Sequence, residues 1–193
     1  RLILLSELEH FCARYPHVRI RLLNYSAPQA VKALENNIID FAIVSTPVLV
    51  HKHMHQEKLV SYDEILLGGT KYKQFAQQVH YLEDISEMPL IGLCEGSSTH
   101  MHYSRFFMEH DLPFEPDMEA AMTDQVLPMI THNLGIGFYP KSLALEAIEK
   151  ELVFPIELTE PLPNRDVVVI TNNHTPINSA SRRFLEFLLE NRK

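Results

Sequence analysis

The sequence predicts an α/β fold made of two similar lobes, and three observations carry that prediction. Apolar residues alternate between helical spacing and short continuous runs along the whole chain, as expected when helices and strands interleave. Hydroxyl residues gather at the turns where apolar runs hand over to helices. The order helix, strand, capped helix, buried strand appears near the start and again from Ser97. The second lobe then lies between two segments of the first: residues 1–68 with 139–193 form lobe I, and 69–138 form lobe II, with a ligand cleft between them. Gly68-Gly69 and Phe138-Tyr139 mark the crossovers.

Each element follows from local chemistry. Leu4, Leu8, Phe11, Cys12 and Tyr15 form a helical stripe that Pro16 ends. Val18, Ile20 and Leu22 alternate with Arg19 and Arg21, predicting a strand with one wet face. Ser26 with Gln29 reads as a capping box and Pro28 fits the first turn of the helix that follows. Ile38 to Val44 predicts a strand covered on both faces, in parallel pairing across a right-handed crossover. The segment from Val48 to Lys58 reads as a loop entering an edge strand, followed by short strands at Lys58 to Val60 and Glu64 to Leu67. Leu82 to Ile85 suggests one helical turn and Leu90 to Leu93 a buried strand. Ser97-Ser98-Thr99 opens a helix carrying Tyr103, Phe106, Phe107 and His110. Met118 to Met122 reads as a strand, and Thr123-Asp124 as the cap of a helix in which Pro128 fits only within the first turn. Asn133-Leu134-Gly135 reads as the stop of that helix, with Gly135 available for a left-handed conformation, and Gly137 marks a close backbone approach in the strand Ile136 to Pro140. Ser142 caps a helix, Asp166 to Thr171 is a buried strand, and Phe184, Phe187 and Leu188 line the last helix.

Bulk properties narrow the function. With 193 residues, 46% hydrophobic and 22% charged, the chain can bury a substantial core. A net charge of −8 argues against this chain gripping nucleic acid unaided, because phosphate binding needs clustered Lys and Arg. No apolar run is long enough to span a membrane, and the opening RLILLSEL has no signal-peptide cleavage pattern. Cys12 and Cys94 sit in apolar patterns and read as buried, reduced thiols, which points to the cytoplasm.

The candidate binding residues are hydroxyls at strand-to-helix or strand-to-loop turns: Ser26, Ser45, Thr46, Ser97, Ser98, Thr99 and Thr123. In open α/β sheets, ligands sit where strand carboxyl ends meet helix N-termini. Such termini hold carboxylates and phosphates through free N–H groups. Capping alone also accounts for hydroxyls at helix starts.

Three stretches are family-specific in order and spacing: RYPHV, IIDFAI and LGIGFYP. With the segments around them, they make nearly the whole chain resemble the effector-binding domain of LysR-type transcriptional regulators. The resemblance implies a type-2 periplasmic-binding-protein fold with a small metabolite between the lobes. It implies ligand contacts at Ser26, Ser45, Thr46, Ser98, Thr99 and Thr123, with Gly137 and Phe138 at the hinge. It also implies a homodimer, a higher oligomer in the full-length protein, and DNA binding only through a helix-turn-helix that this chain does not contain. The family's first strand would likewise precede Arg1. In the dimer, Arg14, Arg19 and Arg21 of one subunit would face Glu109, Asp111, Glu115, Asp117 and Glu119 of the other.

Sharper chemistry finds less support. His51, His53 and His55 would share a face if they lay on a strand, a geometry that suits zinc, but no further ligand stands at a completing distance. No G-x-S-x-G, H-E-x-x-H, phosphate-binding loop or C-x-x-C occurs. The expectation is a non-enzymatic domain without cofactor or metal, sensing a small effector, most of all a carboxylate. The alternatives are a free-standing solute-binding protein and a small-molecule enzyme on the same bilobal scaffold.

Overall fold

The computed structural model describes residues 2–190. Its contacts divide the chain into two compact units: residues 1–60 with 166–193, and residues 61–165. The sequence-based division, at 68/69 and 138/139, cuts elsewhere. The difference has a simple cause: the segment holding Gly68-Gly69 is hydrogen-bonded to the strands that follow residue 135, so those residues belong to one sheet.

Unit 1 contains α1 (Leu2–Arg14), α2 (Ala27–Glu35), β1 (Ala42–Ser45), β2 (Met54–Tyr62), β9 (Arg165–Asn172) and α7 (Ser179–Glu190). The two strands β2 and β9 each overlap the unit boundary by a residue or two. The three strands form one sheet in the order β1-β9-β2. One side packs Val31, Leu34, Met54 and Ile170. The other packs Phe11, Val169, Phe184 and Leu188. This two-sided burial explains why VVVI in β9 reads as a continuous apolar run.

Several sequence-based expectations fail in unit 1. Val18 to Leu22 forms no strand, and Ile20 and Leu22 are 44% and 60% exposed. Alternation supplies a face but not a partner, and no described strand pairs with this segment. The buried run also starts later than predicted, since Ile38 to Asp40 bends ahead of β1, and β1 pairs with β9 antiparallel rather than across a parallel crossover. Cys12 is exposed, because its neighbour Phe11 takes the inward position on α1.

Unit 2 holds β3 (Glu64–Gly69), β4 (Val79–His80), α3 (Leu82–Ile85), β5 (Leu90–Leu93), α4 (Ser98–Met108), β6 (Met118–Ala120), α5 (Thr123–Thr131), β7 (Ile136–Pro140), α6 (Lys141–Glu149) and β8 (Val153–Leu158). Its six strands run in the order β4-β8-β3-β7-β5-β6. On one face lie Leu66, Leu82, Tyr103, Phe107 and Phe138. On the other lie Leu67, Ile91, Ile130, Ala144 and Val153. The strand β8 was not foreseen, because Pro155 interrupts its pattern; it nevertheless pairs with β3 at Leu66↔Ile156 and Leu67↔Pro155.

Local details also depart from expectation. The α5 cap is Met122, and Pro128 lies inside the helix beyond the first turn. A nine-residue helix loses only one internal bond to this proline, and Gln125 Oε1 secures its start by accepting from Met122 N at 3.0 Å. The helix stops ahead of Asn133-Leu134-Gly135 as read, but Asn133, at φ 60°, rather than Gly135 takes the left-handed conformation. A Cβ on Gly135 would lie 2.4 Å from the Pro89 carbonyl oxygen, so close approach is what requires that glycine. Pro140, not Ser142, stands at the cap position of α6.

Candidate functional site

In unit 2 the three parallel strands β6, β5 and β7 lie side by side. Each hands its carboxyl end to a helix: β6 to α5, β5 to α4 and β7 to α6. The starts of α4 and α5 therefore share one edge of the sheet, which brings Ser97, Ser98 and Thr99 to the same edge as Thr123. The tie is direct between the neighbouring strand ends, where Cys94 N donates to Ala120 O at 3.0 Å.

The α4 start is built step by step. Gly96, at φ 81°, turns the chain after β5. Ser97 caps the helix, and its Oγ accepts from His100 N at 3.1 Å. Ser98 is buried in the first turn. With Thr99, it carries N–H groups that no helix can satisfy internally. Thr99 Oγ1 accepts a hydrogen bond from Arg165 Nη1 at 3.1 Å.

Arg165 belongs to a buried cluster that sequence reasoning missed. The same nitrogen donates to Glu64 Oε1 at 3.1 Å, and both side chains are only 3% exposed. The Tyr103 hydroxyl donates to the other Glu64 oxygen. Burial, with the Glu64 charge second, holds the Tyr103 phenol well above its usual pKa, so it stays a donor. Tyr103 follows Thr99 by one helical turn, and its ring stacks on Phe138 at 4.1 Å. A buried ion pair persists only where its remaining valences are satisfied, and here each carboxylate oxygen has a donor. The available signal was a charged residue at the head of each of two apolar strands, Glu64 before ILL and Arg165 before DVVVI. Their pairing across 101 residues was not legible.

His102, one position before Tyr103 on α4, is partly buried. Burial, then the nearby Arg165 charge, lowers its pKa to about 4, against a hydrogen bond to the Pro163 backbone that raises it. Its Nε2 is buried without a partner among the described residues.

The remaining predicted residues fall into two groups. In unit 1, Ser26 caps α2, and its N–H donates to Gln29 Oε1 at 2.9 Å. Ser45 ends β1 opposite Val167. Thr46 is bonded twice to one residue: its N–H donates to Asp166 O at 2.8 Å, and its Oγ1 accepts from Asp166 N at 3.0 Å. In unit 2, Gly137 and Phe138 lie within β7 rather than at the unit boundary, and Phe138 is a core side chain. A Cβ on Gly137 would stand 3.1 Å from Ile91 O, so the close approach read from sequence is present.

A cavity of about 490 Å³ in unit 2, walled by Glu64, Leu66, Ile156, Leu158 and Leu162, includes none of the predicted site residues. The three histidines do not share one strand. His51 and His53 precede β2, their rings stack 5.7 Å apart, and His53 stacks on His174 at 4.6 Å. His51 Nε2 lies 2.9 Å from Glu35 Oε1. Among the described residues, no group of three or more His, Cys, Asp or Glu could hold a metal ion.

The family model for the LysR substrate binding domain matches residues 1–193. The chain belongs to the LysR substrate-binding domain family. Curated relatives are transcriptional regulators. The HTH-type transcriptional regulator GltR of Bacillus subtilis is 22% identical over 144 residues, covering 75% of this chain and 47% of the relative. The HTH-type transcriptional regulator YofA of Bacillus velezensis is 20% identical over 178 residues, covering 92% and 59%. This LysR domain thus spans about half the length of the curated relatives it matches. Among solved structures, the Synechocystis PCC6803 CcmR regulatory domain, in complex with 2-PG, superposes with a TM-score of 0.87 at 16% identity, over 100% of this chain and 92% of that one. The QuiR effector-binding domain with shikimate gives 0.83 at 16% identity, over 98% and 90%. The fold is therefore the type-2 periplasmic-binding-protein fold of LysR regulatory domains. No helix among the described residues is long and apolar enough to cross a membrane.

Proposed function

We propose that this LysR substrate-binding domain is the sensing part of a transcription regulator and binds a small anionic effector, most of all a carboxylate, where α4 and α5 begin. One observation carries the reading: two hydroxyl-bearing helix starts converge on the ends of adjacent parallel strands, so that first-turn N–H groups and hydroxyls lie at one edge. Complexes of similar domains with 2-PG and shikimate support a small-molecule effector. In unit 1, Ser26, Ser45 and Thr46 are proposed as further ligand hydroxyls.

The domain acts without catalysis, in the cytoplasm, as a homodimer that passes effector binding to a DNA-binding domain of the full-length protein. Of the acidic residues assigned to the dimer face, Asp117 is committed within its own chain, where its Oδ2 accepts from Leu90 N at 2.8 Å.

The test is a thermal-shift screen with carboxylates and phosphate esters, shikimate and 2-PG included, followed by titration of the best binder. A ligand at 100 times its dissociation constant adds about 2.7 kcal/mol. Thr99→Val should weaken binding by roughly 1.5–3 kcal/mol, the value of a hydrogen bond to a charged group. Undiminished affinity in that variant would refute the site.

A further inference from the structure

We infer that Arg165, anchored by Glu64, is a positioning residue that fixes the Thr99 hydroxyl as a hydrogen-bond donor and so selects effectors presenting an oxyanion at the start of α4. The inference rests on the anion site proposed above and adds to it a residue and a rule of selection.

The argument is one of valence. A threonine hydroxyl has one proton and two acceptor lone pairs, whereas a guanidinium can only donate. The contact at 3.1 Å between Arg165 Nη1 and Thr99 Oγ1 therefore occupies a lone pair and leaves the Thr99 proton for another group. That proton has no hydrogen bond among the described residues. Accepting from a cation polarises a hydroxyl and strengthens it as a donor, more so where the dielectric is low. The group that takes this proton must be an acceptor, as a carboxylate, phosphate or sulfate oxygen is; an ammonium could use only the remaining lone pair.

Glu64 makes the arrangement rigid and electrically balanced. Its Oε1 holds the same Arg165 nitrogen at 3.1 Å, and its other oxygen is held by Tyr103, which leaves the acid no freedom to release the guanidinium. Both charged side chains are 3% exposed, so bulk salt screens them weakly. Because acid and base cancel, Thr99 offers an effector an oriented dipole rather than a net positive charge. Selection then works through hydrogen-bond polarity.

The test is a mutant cycle between Thr99 and the Glu64–Arg165 pair, with shikimate and inorganic phosphate as probes. The paired variant Glu64→Gln with Arg165→Met removes both charges together, and Arg165→Lys serves as a second variant should the paired one fail to fold. In the native background, Thr99→Val should weaken probe binding roughly tenfold or more. In either pair variant the same substitution should cost much less, and three-bond couplings should show the Thr99 side chain passing from one rotamer to several. Thr99→Ser should retain most of the affinity. A full Thr99→Val penalty and a fixed Thr99 rotamer in a folded pair variant would overturn the inference and leave the anion site standing. Loss of no affinity on Thr99→Val in the native background would instead remove the anion site, and the rotamer measurement alone would then decide whether Arg165 positions Thr99.

Discussion

Two threonines, Thr46 in unit 1 and Thr99 in unit 2, are held by consecutive residues at the head of the same strand, in two different ways. Asp166 holds Thr46 through its main chain, the N–H donating to Thr46 Oγ1 and the carbonyl accepting from Thr46 N. Arg165 holds Thr99 through its side chain, and a second side chain, Glu64, holds Arg165. The main-chain arrangement tolerates many side chains at position 166, while one of its two bonds needs the hydroxyl at position 46. The side-chain arrangement depends on chemical identity at several positions, so substitution breaks it easily and evolution can tune it as easily.

The largest test of this contrast is Glu64→Ala, which removes the carboxylate from a guanidinium whose side chain is 3% exposed. Removing one partner of a buried pair costs about 3–5 kcal/mol, and urea unfolding should show a loss of that order. The paired Glu64→Gln, Arg165→Met variant should lose much less, because no uncompensated charge remains.

Next comes pH. His102 in the folded protein titrates near 4, below the ordinary value of 6.5. Between those values the unfolded chain binds a proton that the folded chain refuses, so stability rises with pH across this window. The contribution is complete above about pH 6.5 and is lost as pH falls toward 4. Allowing for a ring only partly buried, it amounts to about 2 kcal/mol. Thermal unfolding followed from pH 7 to pH 4 should flatten by that amount in His102→Gln. An unchanged slope would assign the pH dependence to other groups.

The smallest expected effect is at Asp166. Its carboxylate pairs with Lys58 at 2.8 Å, and the two side chains are 33% and 55% exposed. Asp166→Asn removes that pair but leaves the backbone bonds to Thr46, so stability should fall by no more than about 1 kcal/mol. Amide exchange at Thr46 should stay as slow as in the native protein. Faster exchange would show that the side chain, too, holds Thr46 in place.

The sequence by itself determined what neighbouring residues decide together. Capping at Ser97, the stop at Asn133 with its adjacent residues and the apolar runs of β5, β7 and β9 all depend on contacts within a few residues or on strict burial. The likeness of RYPHV, IIDFAI and LGIGFYP to LysR effector domains extended that reading to the family. Tertiary structure alone decided the rest. Val18 to Leu22 has the alternation of a strand but lacks a partner, and a ladder needs both. The strand β8 forms despite Pro155 because β3 lies beside it. Glu64 and Arg165 could be seen as charges at the heads of apolar strands. Their union, which sets the polarity of Thr99, arises only when the fold closes a separation of 101 residues.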